Sequence, residues 1–398
     1  MADYEVIIAG AGPVGAVAAL ALARQGLNTL LLEALPACPD DLRASTLHPP
    51  TLDMLAELGL SDALHAQGLL APEYRYSNRR TGRVISFDLS ELGDTLAHPY
   101  RLQCEQWKLA RLAVAALDAE PAGEVRFSRR LLSFTQDDRG VTVNVEAPLS
   151  IETYRSAFLI GCDGANSIVR KWLGLNFEGF TWEEKFLCFS TRLPLDEHLP
   201  GLCRVNYMAD PREWVVLLQA PTAWRVLVPA TEADSDEWLL SDAKRDAVFA
   251  PLLGTAEPVP TVHRTIYRVH QRVAETYRVG RVLLAGDSAH LNNPLGGFGM
   301  NAGIHDVWNL VPRLRQVLRE GAGLSLLDKY VRQRRAVMQE FIQAQTIRNK
   351  RAMEMAPGEA SAVFEAELAA IAADPVKRRD YMLRQAMCKS LEREQQIA

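Results

Sequence analysis

No two cysteines in this sequence have the spacing of a metal or redox motif. The six, Cys38, Cys104, Cys162, Cys188, Cys203 and Cys388, are widely scattered. That excludes a CxxC redox centre and indicates neither a zinc site nor a disulfide framework. Reduced, mostly buried thiols in a cytoplasmic protein are expected. Long hydrophobic runs are missing too. The longest, from Pro13 to Ala23, stops at Arg24 and is too short to cross a bilayer. The opening MADYEVIIAG has no basic segment ahead of an apolar one, so no signal peptide is expected. There is no excess of positive charge: the net charge is −5, which argues against a nucleic-acid partner. Internal repeats and low-complexity tracts are also lacking. What remains is 398 residues, 48% hydrophobic and 23% charged, the composition of a globular chain long enough for two domains or one with an insertion.

The informative residues are concentrated in three glycine-rich turns. The first lies in YEVIIAGAGPVGAVAALALARQGLNTLLLEA, which reads as strand, turn, helix and strand. The strand is Glu5 to Ala9 and the helix runs from about Pro13 to Gln25, with Gly26 as its stop signal. Gly10, Gly12 and Gly15 match G-x-G-x-x-G in its full context, and Glu33 ends the second strand 18 residues after Gly15. Gly10 suits the tight turn, Gly12 a close approach to a pyrophosphate, Gly15 close helix–strand packing, and Glu33 a ribose. The second turn is in AFLIGCDGANSIVRKWLG, where an apolar strand ends in Asp163-Gly164 ahead of a short helix with Arg170. The third is VLLAGDSAHLNNPLGGFGMNAGIHDVWNL, with Gly286-Asp287, Pro294 and glycines 296, 297, 299 and 303 between a strand and a helix. Glycine loses more conformational freedom on folding than any other residue, so this cluster implies a ligand against the main chain. A helix starting after such a turn points unpaired N–H groups at that ligand.

Taken together and in this order, the three motifs resemble the class A flavoprotein monooxygenases, the para-hydroxybenzoate hydroxylase and phenol hydroxylase-like family. They span residues 10 to 301. The resemblance implies FAD as cofactor, NAD(P)H as a transient reductant and dioxygen as co-substrate. It assigns Gly10, Gly12, Gly15 and Glu33 to the ADP half of FAD, Arg43 to the pyrophosphate region and Gln106 to the ribityl chain. Asp287, after Gly286, would bind ribityl hydroxyls. Asp163, Gly164 and Arg170 would serve both FAD and the nicotinamide. The helix start at Gly299, Met300 and Asn301 would face the flavin pyrimidine edge, where a helix N-terminus stabilises the negative charge of reduced flavin. His290 is read as structural, and the basic run Arg332 to Arg335 as a solvated helix face.

The fold implied is α/β: a Rossmann-type FAD-binding domain with an inserted antiparallel-sheet substrate domain and C-terminal helices. Residues 1–72, 98–178 and 272–340 would form the FAD-binding domain, 73–97 and 179–271 the substrate domain, and 341–398 the C-terminal helical segment. Breaks are expected at Pro357-Gly358 and Asp374-Pro375. The thioredoxin-like C-terminal domain of larger phenol hydroxylases is not expected. No second G-x-G-x-x-G precedes a helix, so a stable separate NAD(P)H domain is not supported.

The activity implied is hydroxylation of a small phenolic or hydroxypyridine-type aromatic ring through a flavin C4a-hydroperoxide. Tyr207, in a Tyr-x-x-x-Pro-Arg segment ahead of a strand, is the candidate for activating the ring hydroxyl. His48 is a second, loop-borne candidate, and Pro294 would shape the oxygen-reaction site through its carbonyl. The family arginine that holds a benzoate carboxylate has no match, because Gln219-Ala220-Pro221 stands there, which argues against 4-hydroxybenzoate itself. The identity of the ring, NADH against NADPH, and the oligomeric state, with a homodimer one option, are left open. So are two alternatives: a ubiquinone-type ring hydroxylase and a non-catalytic FAD-binding or sensor protein. The halogenase motif W-x-W-x-I-P is absent.

Overall fold

A computed structural model describes residues 3–40, 42, 44–210, 213–355 and 359–398, with the side chains of 359–361 left aside. Arg43, Pro211, Arg212 and the Pro357-Gly358 break therefore lie outside the described residues.

The chain begins as its periodicity predicts. Strand Tyr4–Ala9 is followed by helix Pro13–Arg24 and strand Thr29–Leu32, each within a residue of the expected bounds. The two strands pair in parallel, Val6 with Thr29 through Ala9 with Leu32. Helix Pro13–Arg24 carries ten buried residues, half of them alanine, on every face. Small side chains let it lie between the sheet and two other helices, Gln106–Asp118 and Gly299–Arg319.

Around this unit an eight-stranded sheet assembles. Its path runs Arg278–Val279, Val282–Leu284, Ser150–Gly161, Tyr4–Ala9, Thr29–Leu32 and Gly123–Arg126, and the hairpin Arg130–Asp137 and Gly140–Ala147 branches from Ser150–Gly161. The strands that carry the three glycine motifs are neighbours in it, with Ala9 beside Gly161 and Gly161 beside Leu284. All three motifs therefore leave the same sheet edge, although 276 residues separate Gly10 from Gly286 in the chain. Open parallel sheets bind ligands at such carboxyl ends.

A second, mostly antiparallel eight-stranded sheet runs His290–Leu291, His263–Ala274, Phe177–Thr191, Trp224–Ala230, Val215–Gln219, Val205–Ala209, Glu73–Asn78 and Val84–Asp88. Its last two strands, Glu73–Asn78 and Val84–Asp88, form a hairpin. Asn78 closes that turn by accepting from the Arg80 and Thr81 amides, and Gly82 supplies the positive φ. A three-stranded sheet, Thr46–Leu47, Arg101–Gln103 and Leu69–Ala71, connects the two layers and was not anticipated from the sequence. From Ser325 onward the described chain is almost wholly helical, and Asp374 with Pro375 starts a new helix by capping the Val376 and Lys377 amides. Among the described residues no helix is long and apolar enough to cross a membrane, and no cluster of potential metal ligands occurs.

Candidate active site

The first turn separates glycines that the protein itself requires from one that it does not. Gly10 has φ +102°, and a Cβ there would stand 2.5 Å from the Cys162 carbonyl oxygen. At Gly15 a Cβ would stand 1.9 Å from the Gly10 carbonyl oxygen. At Gly12 an added Cβ meets nothing within 4 Å, and its φ of −65° suits any residue. Gly12 is also the N-cap of a twelve-residue helix without a side-chain cap. The turn is thus an open cradle of unpaired N–H groups at a helix N-terminus, which fits a pyrophosphate. Glu33 completes it in an unforeseen way. One carboxylate oxygen accepts from the Ala11 amide at 2.7 Å and the other from the Leu35 amide at 2.9 Å. Each oxygen keeps acceptor capacity for a ribose hydroxyl, so Glu33 both braces the turn and faces it.

The second and third motifs are fastened to the first by main-chain contacts. Gly286, with φ +65°, and Gly303 both abut Val14 of the first helix, where a Cβ at Gly303 would come within 2.5 Å. Asp163 accepts from the Ile168 and Val169 amides through one oxygen, while its other oxygen is buried without a hydrogen-bond partner. Burial raises its carboxyl above the usual range. Arg170, expected to touch cofactor, is buried. Its guanidinium donates to the carbonyls of Ser288 at 2.9 Å and Ala165 at 2.8 Å and lies 3.8 Å from the Phe177 ring centroid. In this geometry it ties the Asp-Gly turn to the Gly-Asp turn. Gly164 has φ +79° with open space around it. Asp287 is exposed between buried Gly286 and Ser288. Gln106 opens helix Gln106–Asp118, half-buried, its amide on the Ala44 carbonyl.

The run Arg332 to Arg335 is not a solvated face throughout, because Gln333 and Arg334 are buried. Arg334 donates to Asp306 at 2.7 Å and Glu394 at 2.6 Å, and Asp306 also accepts from His290 at 2.7 Å and from the Gly286 amide at 3.0 Å. Burial pushes the Asp306 carboxyl up, but His290 and Arg334 outweigh it and hold the pKa at about 2. His290 is structural, as expected. The Asn301 side chain is held within the protein. It accepts from the His48 amide at 2.9 Å and donates to the carbonyls of Thr46 at 2.8 Å and Gly297 at 2.7 Å. What Gly299, Met300 and Asn301 can offer is main chain: they form the first turn of helix Gly299–Arg319, which has no side-chain cap.

Two of the three candidates for chemistry, His48 and Pro294, lie at the loop before that helix, and the third, Tyr207, packs against an apolar cluster that includes Leu295 of it. His48 is fully buried, stacks on Phe298 at 5.3 Å and places Nε2 2.8 Å from the Gly296 carbonyl oxygen. That oxygen can only accept, so Nε2 carries the proton and Nδ1, buried and unpartnered, is an acceptor. Burial first, and then the Arg101 charge, hold His48 well below its ordinary pKa and keep it neutral. Pro294 is exposed, and its carbonyl accepts from the Gly297 amide at 3.0 Å, closing the turn. Tyr207 is half-buried in strand Val205–Ala209 and packs in one apolar cluster with Leu295 of the same loop. Two grooves open elsewhere. One, of about 330 Å³, is lined by Asp40, Trp107, Arg111, Thr222 and Arg225, and neither groove includes Tyr207, His48 or Pro294.

A dinucleotide cradle on a parallel sheet, with a second sheet packed over a glycine loop, defines an FAD-dependent oxidoreductase. The chain belongs to the family described as FAD binding domain, whose model matches residues 3–345. Its relatives are of the FAD-dependent aromatic monooxygenase class that the three motifs imply. It is 34% identical over 342 residues to para-nitrophenol 4-monooxygenase of Pseudomonas sp. strain WBC-3, covering 84% of each chain. It is also 34% identical over 380 residues to 6-hydroxy-3-succinoylpyridine 3-monooxygenase of Pseudomonas putida strain S16, covering 94% of this chain and 96% of that one. The solved structure of p-nitrophenol 4-monooxygenase from Pseudomonas putida DLL-E4 superposes with a TM-score of 0.91 at 30% identity over 98% of both chains.

Proposed function

We propose that this protein hydroxylates a small phenolic or hydroxypyridine-type ring, using NAD(P)H and dioxygen. The observation that carries the reading is the convergence of the three glycine turns on one end of the sheet, with buried His48 on the Pro294–Gly297 loop at the uncapped start of helix Gly299–Arg319 and Tyr207 packed against the apolar cluster that holds Leu295 of that loop. The near full-length likeness to enzymes named for nitrophenol and hydroxypyridine substrates supports it. FAD, when bound and reduced, supplies the oxygen-transfer chemistry. Gly10, Gly12, Gly15 and Glu33 would hold its ADP half, and Gln106, Asp287 and the first amides of helix Gly299–Arg319 the remainder. Asp163, Gly164 and Arg170 would fix the turns against which it lies. The protein's own tasks are to bind the ring, exclude water and help its hydroxyl towards the anion. A cytoplasmic location fits this reading.

Tyr207 is assigned to that activation. A phenol with a pKa near 10 is mostly neutral at pH 7, so a hydrogen bond to the developing phenolate raises the ring's reactivity. Tyr207→Phe should keep FAD content and slow hydroxylation by about 10²–10⁴-fold. NAD(P)H oxidation should then become uncoupled. The check is the ratio of hydroxylated product to NAD(P)H consumed. Wild-type coupling in the variant would make Tyr207 a packing residue.

A further inference from the structure

Four arginines are buried among the described residues: Arg101, Arg170, Arg225 and Arg334. Three are partnered. Arg170 donates to two carbonyls, Arg334 pairs with two carboxylates, and Arg225 donates to the Tyr267 hydroxyl at 2.8 Å. Arg101 differs. It is 1% exposed, its Nε and Nη1 are buried without a hydrogen-bond partner, and no carboxylate among the described residues forms an ion pair with it. Its guanidinium carbon lies over the Tyr74 ring, 4.4 Å from the centroid. A guanidinium cannot shed its proton to escape this cost, and an uncompensated buried charge is strongly unfavourable. Such a group is retained when something outside the fold pairs with it.

Its position identifies what that is. Arg101 lies on strand Arg101–Gln103, which pairs with Thr46–Leu47 in the register Thr46 to Gln103 and Leu47 to Leu102. Continuing that antiparallel register sets His48, with its unpartnered Nδ1, alongside Arg101. Gln103, on the same face of the strand two residues on, also has a buried amide nitrogen without a partner. On the other side the Tyr74 hydroxyl is buried and unpartnered, and Tyr74 belongs to an apolar cluster against which Tyr207 and Tyr381 pack. One region between the proposed ring-activating tyrosine and the glycine loop therefore holds a fixed cation and several buried polar atoms without a hydrogen-bond partner among the described residues.

We infer that Arg101 is the receptor for an ionised ring oxygen, so that the enzyme binds its aromatic substrate as the phenolate. This rests on the hydroxylase reading and narrows its substrate class to acidic phenols and hydroxypyridines. A planar guanidinium beside an aromatic face matches an oxygen held in the plane of a ring. Ionisation on binding also serves the chemistry, since an electron-rich ring is the better nucleophile.

The test compares 4-nitrophenolate with its neutral methyl ether, 4-nitroanisole, and with 4-nitrobenzoate. Each is titrated into the FAD holoenzyme without NAD(P)H, and the perturbation of flavin absorbance is read. Wild type should hold the phenolate at least about 10-fold more tightly than the ether. Arg101→Met should raise the phenolate Kd at least about 30-fold, the lower bound for unpairing a buried charge. It should leave the ether Kd and FAD content unchanged and keep or raise thermal stability, because an unpaired charge has been removed. Arg101→Lys should retain part of the preference. Equal binding of phenolate and ether in wild type overturns the inference, and so does Arg101-dependent binding of the benzoate alone. Loss of FAD or of folding in both variants also overturns it, by assigning Arg101 to cofactor or scaffold. The hydroxylase reading is judged separately, by whether any phenol stimulates NAD(P)H oxidation with product formed. Stimulation without a phenolate preference sinks only the inference about Arg101.

Discussion

Asp306→Asn is expected to destabilise the protein by about 3–5 kcal/mol, the usual consequence of breaking a buried ion pair from one side. The wild-type carboxylate is wholly buried and accepts from Arg334, His290 and the Gly286 amide. An asparagine keeps the shape but removes the charge and turns one acceptor into a donor facing cations. Glu394 still pairs with Arg334, so the loss is not that of an isolated arginine. Because Asp306 holds the Gly286 amide, the variant should also loosen the turn that presents Asp287 and retain less FAD. The pH dependence follows from the sign of the shift. The folded pKa of about 2 lies below the ordinary aspartate value. The stabilisation is therefore complete above about pH 4 and is lost as pH falls towards 2, where wild type forfeits about 2–3 kcal/mol from this group. Urea unfolding of wild type and variant between these pH values reads both effects. A variant within about 0.5 kcal/mol of wild type at neutral pH would show that the charge is dispensable.

That network also marks where reading the sequence stops. The glycine turns were legible because their determinants are short in sequence. Gly10, Gly12 and Gly15 sit within six residues, and the strand and helix around them have clear periods. The order of motifs carried the cofactor and, through the family they resemble, the inserted second sheet. What escaped were pairings that only the packed chain creates. Asp306, Arg334 and Glu394 are separated by 28 and 60 residues, and Arg334 in RQRR looks like any solvated arginine. Arg170 stood in a cofactor motif, yet its guanidinium is spent on two loop carbonyls, which have no sequence signature. Asn301 lies in the first turn of helix Gly299–Arg319, where its amide group stitches Thr46, His48 and Gly297 together, a role with no sequence signature. Arg101 gave no signal at all. Its interest lies in lacking a partner, and that is visible only once its surroundings are known. Residue type and spacing predict where backbone must bend or approach a ligand; they do not predict which long side chain satisfies which distant group.

Gly12→Asp should give a folded apoprotein, and the structure separates this outcome from misfolding. At Gly10 and Gly15 a side chain would collide with main chain, so substitutions there would fail for steric reasons. Gly12 has an ordinary φ of −65° and open space where the side chain would go. It is also the N-cap of helix Pro13–Arg24, a position that aspartate favours over glycine by a few tenths of a kcal/mol. The apoprotein should therefore be as stable as wild-type apoprotein, or slightly more so. The same carboxylate would occupy the cradle and present a negative charge where the pyrophosphate must lie. Two unit charges 4 Å apart at an effective dielectric of 20 repel by about 4 kcal/mol, and that corresponds to about a 10³-fold loss of FAD affinity. The measurements are flavin absorbance per mole of purified protein and a thermal melt of both apoproteins. A colourless variant that melts with wild-type apoprotein places the pyrophosphate at Gly12. A variant carrying wild-type amounts of flavin would mean that this turn does not hold the cofactor, and a colourless variant that melts far lower would mean that Gly12 serves the fold.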